Sequence, residues 1–226
     1  MADIILIAGT YYGGWYWQNL VANLSSSGHR VFAPTLRGLG EDSPSDSPIS
    51  LSDHIQEVVD MIDDNNLDDV VLVGWSYGGM VITGVPARVQ AKIAHLVYLD
   101  AAVPVSGQTE FDLIPDWLRA KQLAECLDGR NQFPSAEFLN YEPRMKPHPI
   151  GTKQEPISYD EVQLAGLAKT YVVAGKERGS GPFAEVVARI SSETNWRIIE
   201  LDAGHDVYRD SPEEVERIIF SITAKG

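Results

Sequence analysis

The chain has 226 residues, 44% hydrophobic and 22% charged, the balance of a globular protein rather than of a disordered, fibrous or membrane-embedded one. Its 32 acidic and 18 basic side chains give a formal charge of −14, which repels a phosphate backbone and offers anionic lipid no polybasic patch, so nucleic acid and membrane are excluded as first partners. The single cysteine, Cys126, rules out an internal disulfide and every multi-cysteine metal site.

From the N-terminus, residues 1–9 lack a basic leader region and their apolar run is too short to span a bilayer, so the expected address is cytoplasmic. A buried strand is expected over residues 4–8. A glycine-rich loop and a helix over 15–24 follow, ending before Gly28. A second strand is expected over 30–34 and a helix over 50–62, with Ser50 as N-cap and Asp53 completing a capping box. Further strands fall at 70–75, 96–99, 170–174 and 197–201, all rich in Val, Ile and Tyr. The last helix is expected over 211–224, with Ser211 as N-cap, Pro212 at its first position and Glu214 reciprocating. Strand and helix in alternation imply one α/β domain over 1–226, a mostly parallel sheet with helices on both faces.

Residues 103–158 interrupt this alternation. They carry a helical patch at 114–127 among prolines, including Pro143, Pro147, Pro149 and Pro156. A structureless loop of that length is improbable in a compact domain, so the segment is expected to be a small cap over the carboxyl edge of the sheet. Catalytic groups in such sheets gather at that edge.

Gly74-Trp75-Ser76-Tyr77-Gly78 follows the 70–75 strand and opens a helix, the context that gives a G-x-S-x-G sequence its meaning: a sharp turn exposing the Ser76 hydroxyl above the sheet. A serine hydroxyl needs a base, and the base an acid to orient it. His205 follows the last strand, where a side chain can swing over the carboxyl edge. His29, His54, His95 and His148 lie at the opposite edge, on a helix, before a strand and in the cap. In the chain order Ser, acid, His, Glu177 stands just past the penultimate strand, with Asp100, at the end of the strand before it, as the alternative acid. Asp202 and Asp206 are too close to His205 in sequence to orient its far nitrogen. For an oxyanion, the backbone N–H of Tyr77 supplies one donor and that of Thr10, in the first glycine-rich loop, the other. The G-x-G-x-x-G spacing of a dinucleotide site is absent, and neither cofactor nor metal is expected.

Taken together, the Gly9 loop with Gly-Gly-Trp15-Tyr-Trp17, the Arg37-Gly38-Leu39-Gly40 turn, Gly-Trp-Ser76-Tyr-Gly-Gly, Tyr98-Leu-Asp-Ala-Ala-Val-Pro104 and Ala203-Gly-His205 resemble the α/β-hydrolases of the group that holds plant salicylate methyl-ester esterases, hydroxynitrile lyases and small bacterial esterases. The resemblance covers nearly the whole chain. It implies the α/β-hydrolase fold, with Ser76, Glu177 and His205 at the catalytic positions and Thr10 and Tyr77 as oxyanion donors. The family's acid is commonly Asp, which keeps Asp100 in play, and Ala8 stands where the family usually has His. The lyases of this group carry Thr where Gly9 stands and Lys where Asp206 stands, so the resemblance implies hydrolysis of a carboxylic ester or lactone through a Ser76 acyl-enzyme.

Tyr11, Phe111 and Trp117 are expected to wall the pocket and to select an apolar or aromatic small molecule. No partner beyond that substrate is called for, apart from a homodimer as an open arrangement. Other functions carried by the fold are a cofactor-free lyase, a C–C hydrolase, a dioxygenase and a non-catalytic ligand receptor.

Overall fold

The computed structural model describes residues 1–41 and 47–224. Its strands are, in chain order, β1 (Asp3–Ile7), β2 (Arg30–Phe32), β3 (Val70–Trp75), β4 (Ile93–Leu99), β5 (Asn131–Gln132), β6 (His148–Pro149), β7 (Ala168–Ala174) and β8 (Trp196–Leu201). Six of them form one sheet in the order β2-β1-β3-β4-β7-β8, parallel at every pairing. The short β5 and β6 pair antiparallel, apart from it.

The continuous apolar runs of these strands are explained by burial on both faces. Because side chains alternate along a strand, Ile5, Ile7, Leu72 and Tyr98 pack on one side with the helices Leu51–Asp64 and Gly78–Gly84. Ile4, Leu6, Val71 and Val73 pack on the other with Gln18–Ser26 and Pro212–Thr223. No helix among the described residues is long and apolar enough to cross a membrane.

The helix Leu51–Asp64 begins as its sequence predicts. The Ser50 hydroxyl accepts the Asp53 N–H at 3.2 Å and the Asp53 carboxylate accepts the Ser50 N–H at 2.9 Å, a cap that contributes about 1 kcal/mol. The other two helix starts differ from expectation. Residues 14–17 form a tight 3-10 turn before the helix Gln18–Ser26, because Tyr16 stacks on Trp75 at 4.7 Å and Trp17 is fully buried. Ser211 makes no side-chain cap to the helix Pro212–Thr223. A separate turn of helix, Val207–Asp210, runs into Ser211 and twists it away from the extended cap conformation, while Glu214 pairs with Arg217 instead.

Between β4 and β7 the chain leaves the sheet. It makes the helices Asp116–Ala124 and Ala136–Tyr141, the β5–β6 pair, and two shorter helices, Gly151–Gln154 and Glu161–Ala165. Of the patch expected at 114–127, the helix occupies Asp116–Ala124, with Pro115 in extended conformation setting its start.

His54 gives the fold a pH dependence. It is fully buried on the Leu51–Asp64 helix; its Nε2–H donates to the Arg37 carbonyl at 2.8 Å and its Nδ1 accepts the Tyr77 hydroxyl at 2.9 Å. Burial pushes its pKa down to about 4 from the ordinary 6.5. Between those values the unfolded chain binds a proton that the native chain does not, so stability falls as pH falls through this window, by up to about 3 kcal/mol in all. His148, also buried and pushed well below its ordinary value, adds in the same direction. Urea midpoints measured from pH 7 to pH 4 should therefore drop, and His54→Gln should flatten the slope. An unchanged slope in a folded variant would remove His54 from the account.

Candidate active site

The strand order reverses between β1 and β3, and at such a switch point the loops leaving the two strands open a crevice above the sheet. Ile7 stands opposite Gly74 across this pair, which sets the Thr10 loop beside the turn at Ser76. Ser76 adopts φ +54°, the sharp conformation that a strand-to-helix nucleophile turn requires. A Cβ at Gly78 would lie 2.6 Å from the Ile7 carbonyl oxygen, so a larger residue there would force the helix Gly78–Gly84 off β1.

His205 reaches this turn from the loop after β8. Its Nε2 lies 3.0 Å from the Ser76 hydroxyl, which can donate to it, and its Nδ1–H donates to Asp100 Oδ2 at 2.7 Å. The carboxylate expected from chain order, Glu177, does not touch the ring; its Oε1 accepts the His205 backbone N–H at 3.1 Å. The reason is positional. Asp100 leaves β4, the strand next to β3, at φ +39°, and lies 95% buried with Oδ1 near the Ala174 N–H at 3.4 Å. Glu177 ends the 3-10 turn Gly175–Glu177 beyond β7, one strand further away.

Two more bonds hold the histidine loop: Asp210 Oδ2 accepts the Gly204 N–H at 2.8 Å, and the Trp75 indole N–H donates to the His205 carbonyl at 2.9 Å. Of the five non-glycine residues with positive φ among those described, Tyr11, Ser76 and Asp100 meet here. Backbone strain concentrated in this way marks a site that its surroundings over-determine. The other histidines are held elsewhere: His95 against Thr170 at 2.8 Å and His148 against Thr152 at 2.9 Å, for example.

Ser76 and His205 form part of the wall of a cavity of about 420 Å³, a size suited to a small organic ligand. Thr10 lines it too. Tyr77 follows Ser76 but points its side chain into the core towards His54, leaving only its backbone near the site. Neither the Thr10 nor the Tyr77 N–H donates to an acceptor among the described residues. Asp206, in the same wall, accepts the Tyr16 hydroxyl, and burial raises its carboxyl above the ordinary range.

Of the three aromatic residues expected in the wall, Tyr11 is there and two are not. Phe111 is buried in the core beneath Arg119, whose guanidinium lies 5.7 Å from its ring, and Trp117 is 63% exposed. Leu118, Lys121, Gln122 and Glu125 line the cavity from the helix Asp116–Ala124 and its C-cap, a spacing of three and four that defines one helix face. That spacing is the signal which could have found them; Trp117 lies about 100° round the helix from it. Leu118→Ala should accordingly shift the ranking of esters by bulk, by about three- to tenfold in relative kcat/KM, and Trp117→Ala should leave it within twofold. Competition assays on mixed esters read both.

The sequence family described as the alpha/beta hydrolase family matches residues 4–218. A carbendazim hydrolyzing esterase of Nocardioides sp. (strain SG-4G) is 34% identical over 235 residues, covering 95% of this chain and 97% of that one. The putative chloroplastic methylesterase 11 of Arabidopsis thaliana is 24% identical over 96% of this chain, which spans 63% of that relative's length. Among solved structures, an extracellular alpha/beta-hydrolase from Paenibacillus species, described as sharing structural and functional homology with Tobacco Salicylic Acid Binding Protein 2, superimposes with a TM-score of 0.84 at 22% identity, over 98% of this chain and 99% of that one. The family match along nearly the whole length, together with the 34% identical relative, means that this chain belongs to the α/β hydrolase family.

Proposed function

We propose that this α/β hydrolase cleaves carboxylic esters of small apolar or aromatic molecules through a Ser76 acyl-enzyme, with His205 as base and Asp100 as its orienting acid. The observation that carries the reading is the continuous relay Asp100–His205–Ser76, with steps of 2.7 and 3.0 Å, opening into a cavity walled in part by aromatic side chains such as Tyr12, Phe138 and Phe183. The Ser76 Oγ adds to the ester carbonyl carbon as its proton passes to His205 Nε2. The imidazolium is held by Asp100, and the new oxyanion by the N–H groups of Thr10 and Tyr77. Collapse breaks the ester C–O bond, and the Nε2 proton goes to the departing alkoxide. Water, deprotonated by the same nitrogen, then adds to the acyl-enzyme, and collapse returns the Ser76 hydroxyl with release of the acid.

Gly9 supports hydrolysis over a lyase that would use a hydroxyl at this position, because a Cβ there would stand 2.9 Å from Ser76 Cβ. The esterase names of the relatives point the same way. A cytoplasmic address, where the one thiol of Cys126 stays reduced, belongs to the proposal and is checked by fractionating cells of the native host. The function is tested by a panel of methyl to aryl esters, with a serine-directed phosphonate and mass mapping of the labelled residue. Label found only on residues other than Ser76 would sink the assignment.

A further inference from the structure

The loop that carries Thr10 has an unusual backbone. Residues 9–12 make a four-residue turn, closed by the Tyr12 N–H donating to the Gly9 carbonyl at 3.2 Å. The turn lies directly against the nucleophile, since a Cβ at Gly9 would stand 2.9 Å from Ser76 Cβ. Its second residue, Thr10, is outside the positive-φ set, whereas its third, Tyr11, has φ +73°. That combination is a type II turn, whose third position ordinarily takes glycine or asparagine because other side chains are strained there. A tyrosine stays left-handed only where its surroundings over-determine it.

The groups that hold Tyr11 come from the cap. Its carbonyl accepts the Lys146 N–H at 3.0 Å. Its hydroxyl donates to Glu125 Oε2 at 2.9 Å and accepts from the Gln132 amide, which also donates to Glu125 Oε2 at 2.8 Å. The Phe138 ring packs beside the Tyr11 ring with centroids 6.0 Å apart. Glu125, Gln132, Phe138 and Lys146 all belong to the segment between β4 and β7, so the cap grips this one residue of the turn by its backbone and by the far end of its side chain.

We propose that Tyr11 is a positioning residue for the oxyanion donor: braced by the cap, it keeps the 9–12 turn in the form that presents the Thr10 N–H to the developing oxyanion. An ordinary negative φ at Tyr11 turns the Thr10–Tyr11 peptide over, so that its N–H and carbonyl exchange sides of the turn. A dipole adjoining the Thr10 donor is then reversed, and the turn loses its single conformation. Oxyanion donors are effective because they are fixed before the charge develops. The inference rests on the esterase reading for the oxyanion, and on the turn and its cap contacts for the brace. It ties the rate of bond-making, as well as substrate choice, to the seating of the cap.

Two comparisons test it. Tyr11→Phe keeps the ring and removes both hydroxyl bonds. Its kcat for p-nitrophenyl acetate should fall about 10- to 100-fold, less than the loss of a donor outright, with KM within about threefold. Benzyl trifluoromethyl ketone reports on the oxyanion itself: Ser76 Oγ bonds to its carbonyl carbon, the carbonyl π pair moves to oxygen and the hydroxyl proton passes to His205 Nε2. Its inhibition constant should rise by the factor by which kcat falls. The carbinol made by reducing that ketone forms no adduct, and its inhibition constant should hold within about threefold. The second comparison sets Tyr11→Gly against Tyr11→Ala. Both remove the brace, but only glycine takes this left-handed backbone without strain, so Tyr11→Gly should keep at least about threefold more kcat although it removes more of the side chain. If either of these two does not fold, Tyr11→Phe decides alone. The positioning role is overturned, with the esterase reading left standing, by an unchanged kcat and ketone inhibition in Tyr11→Phe, by equal losses for ketone and carbinol, or by Tyr11→Ala matching Tyr11→Gly. If the unaltered protein turns over no ester and forms no ketone adduct, the esterase reading falls and the positioning role falls with it.

Discussion

Ser76→Ala is expected to lower kcat for an activated ester by about 10⁴- to 10⁶-fold, the range seen when a hydrolase of this mechanism loses its nucleophile while keeping its oxyanion donors. At 1.4 kcal/mol per decade this is about 6 to 8 kcal/mol of barrier. The substitution removes one oxygen from a residue already 91% buried and leaves the Gly74–Gly78 turn intact, so the variant should melt close to the parent. Steady-state rates with a phosphonate-titrated parent as reference measure the effect. A loss smaller than tenfold in folded protein would mean that another group makes the covalent bond.

Asp100→Asn should cost about 10⁴ in kcat, because an amide facing His205 Nδ1 favours the wrong tautomer and gives no charge to set against the imidazolium. Glu177→Gln should cost less than tenfold. The glutamine carbonyl can still accept the His205 backbone N–H that Glu177 holds at 3.1 Å, so the loop keeps its place and the ring keeps its partner. The contrast between the two variants, measured on one ester at one pH, tests the assignment better than either alone. A crippled Glu177→Gln beside a mild Asp100→Asn would return the acid to the β7 end.

Much of the fold was legible in the sequence because it depends on local pattern. Apolar runs such as 70–75 and 170–174 can be satisfied only by burial on two faces, and that requirement, repeated six times with helices between, leaves little but a covered parallel sheet. The Ser76 turn was legible for a similar reason: Gly74 and Gly78 are needed where the backbone passes close to a neighbouring chain segment. The position of His205 followed from strand order alone.

Which carboxylate meets His205 was decided only by the tertiary structure. Asp100 and Glu177 both stand just past strand ends and both precede His205 in the chain. Their difference is the width of one strand, about 4.8 Å, together with the left-handed backbone at Asp100 that aims its side chain at the ring, and neither is written in local sequence. The cavity wall was settled in the same way. Phe111 and Trp117 have the right chemistry to hold an aromatic substrate, but the Asp116–Ala124 helix docks with Leu118 and Gln122 inward, and a rotation of one residue about a helix axis separates a pocket wall from bulk water. The brace on Tyr11 was likewise invisible in the sequence, because it exists only where three residues distant in the chain, Tyr11, Glu125 and Gln132, close a hydrogen-bonded ring.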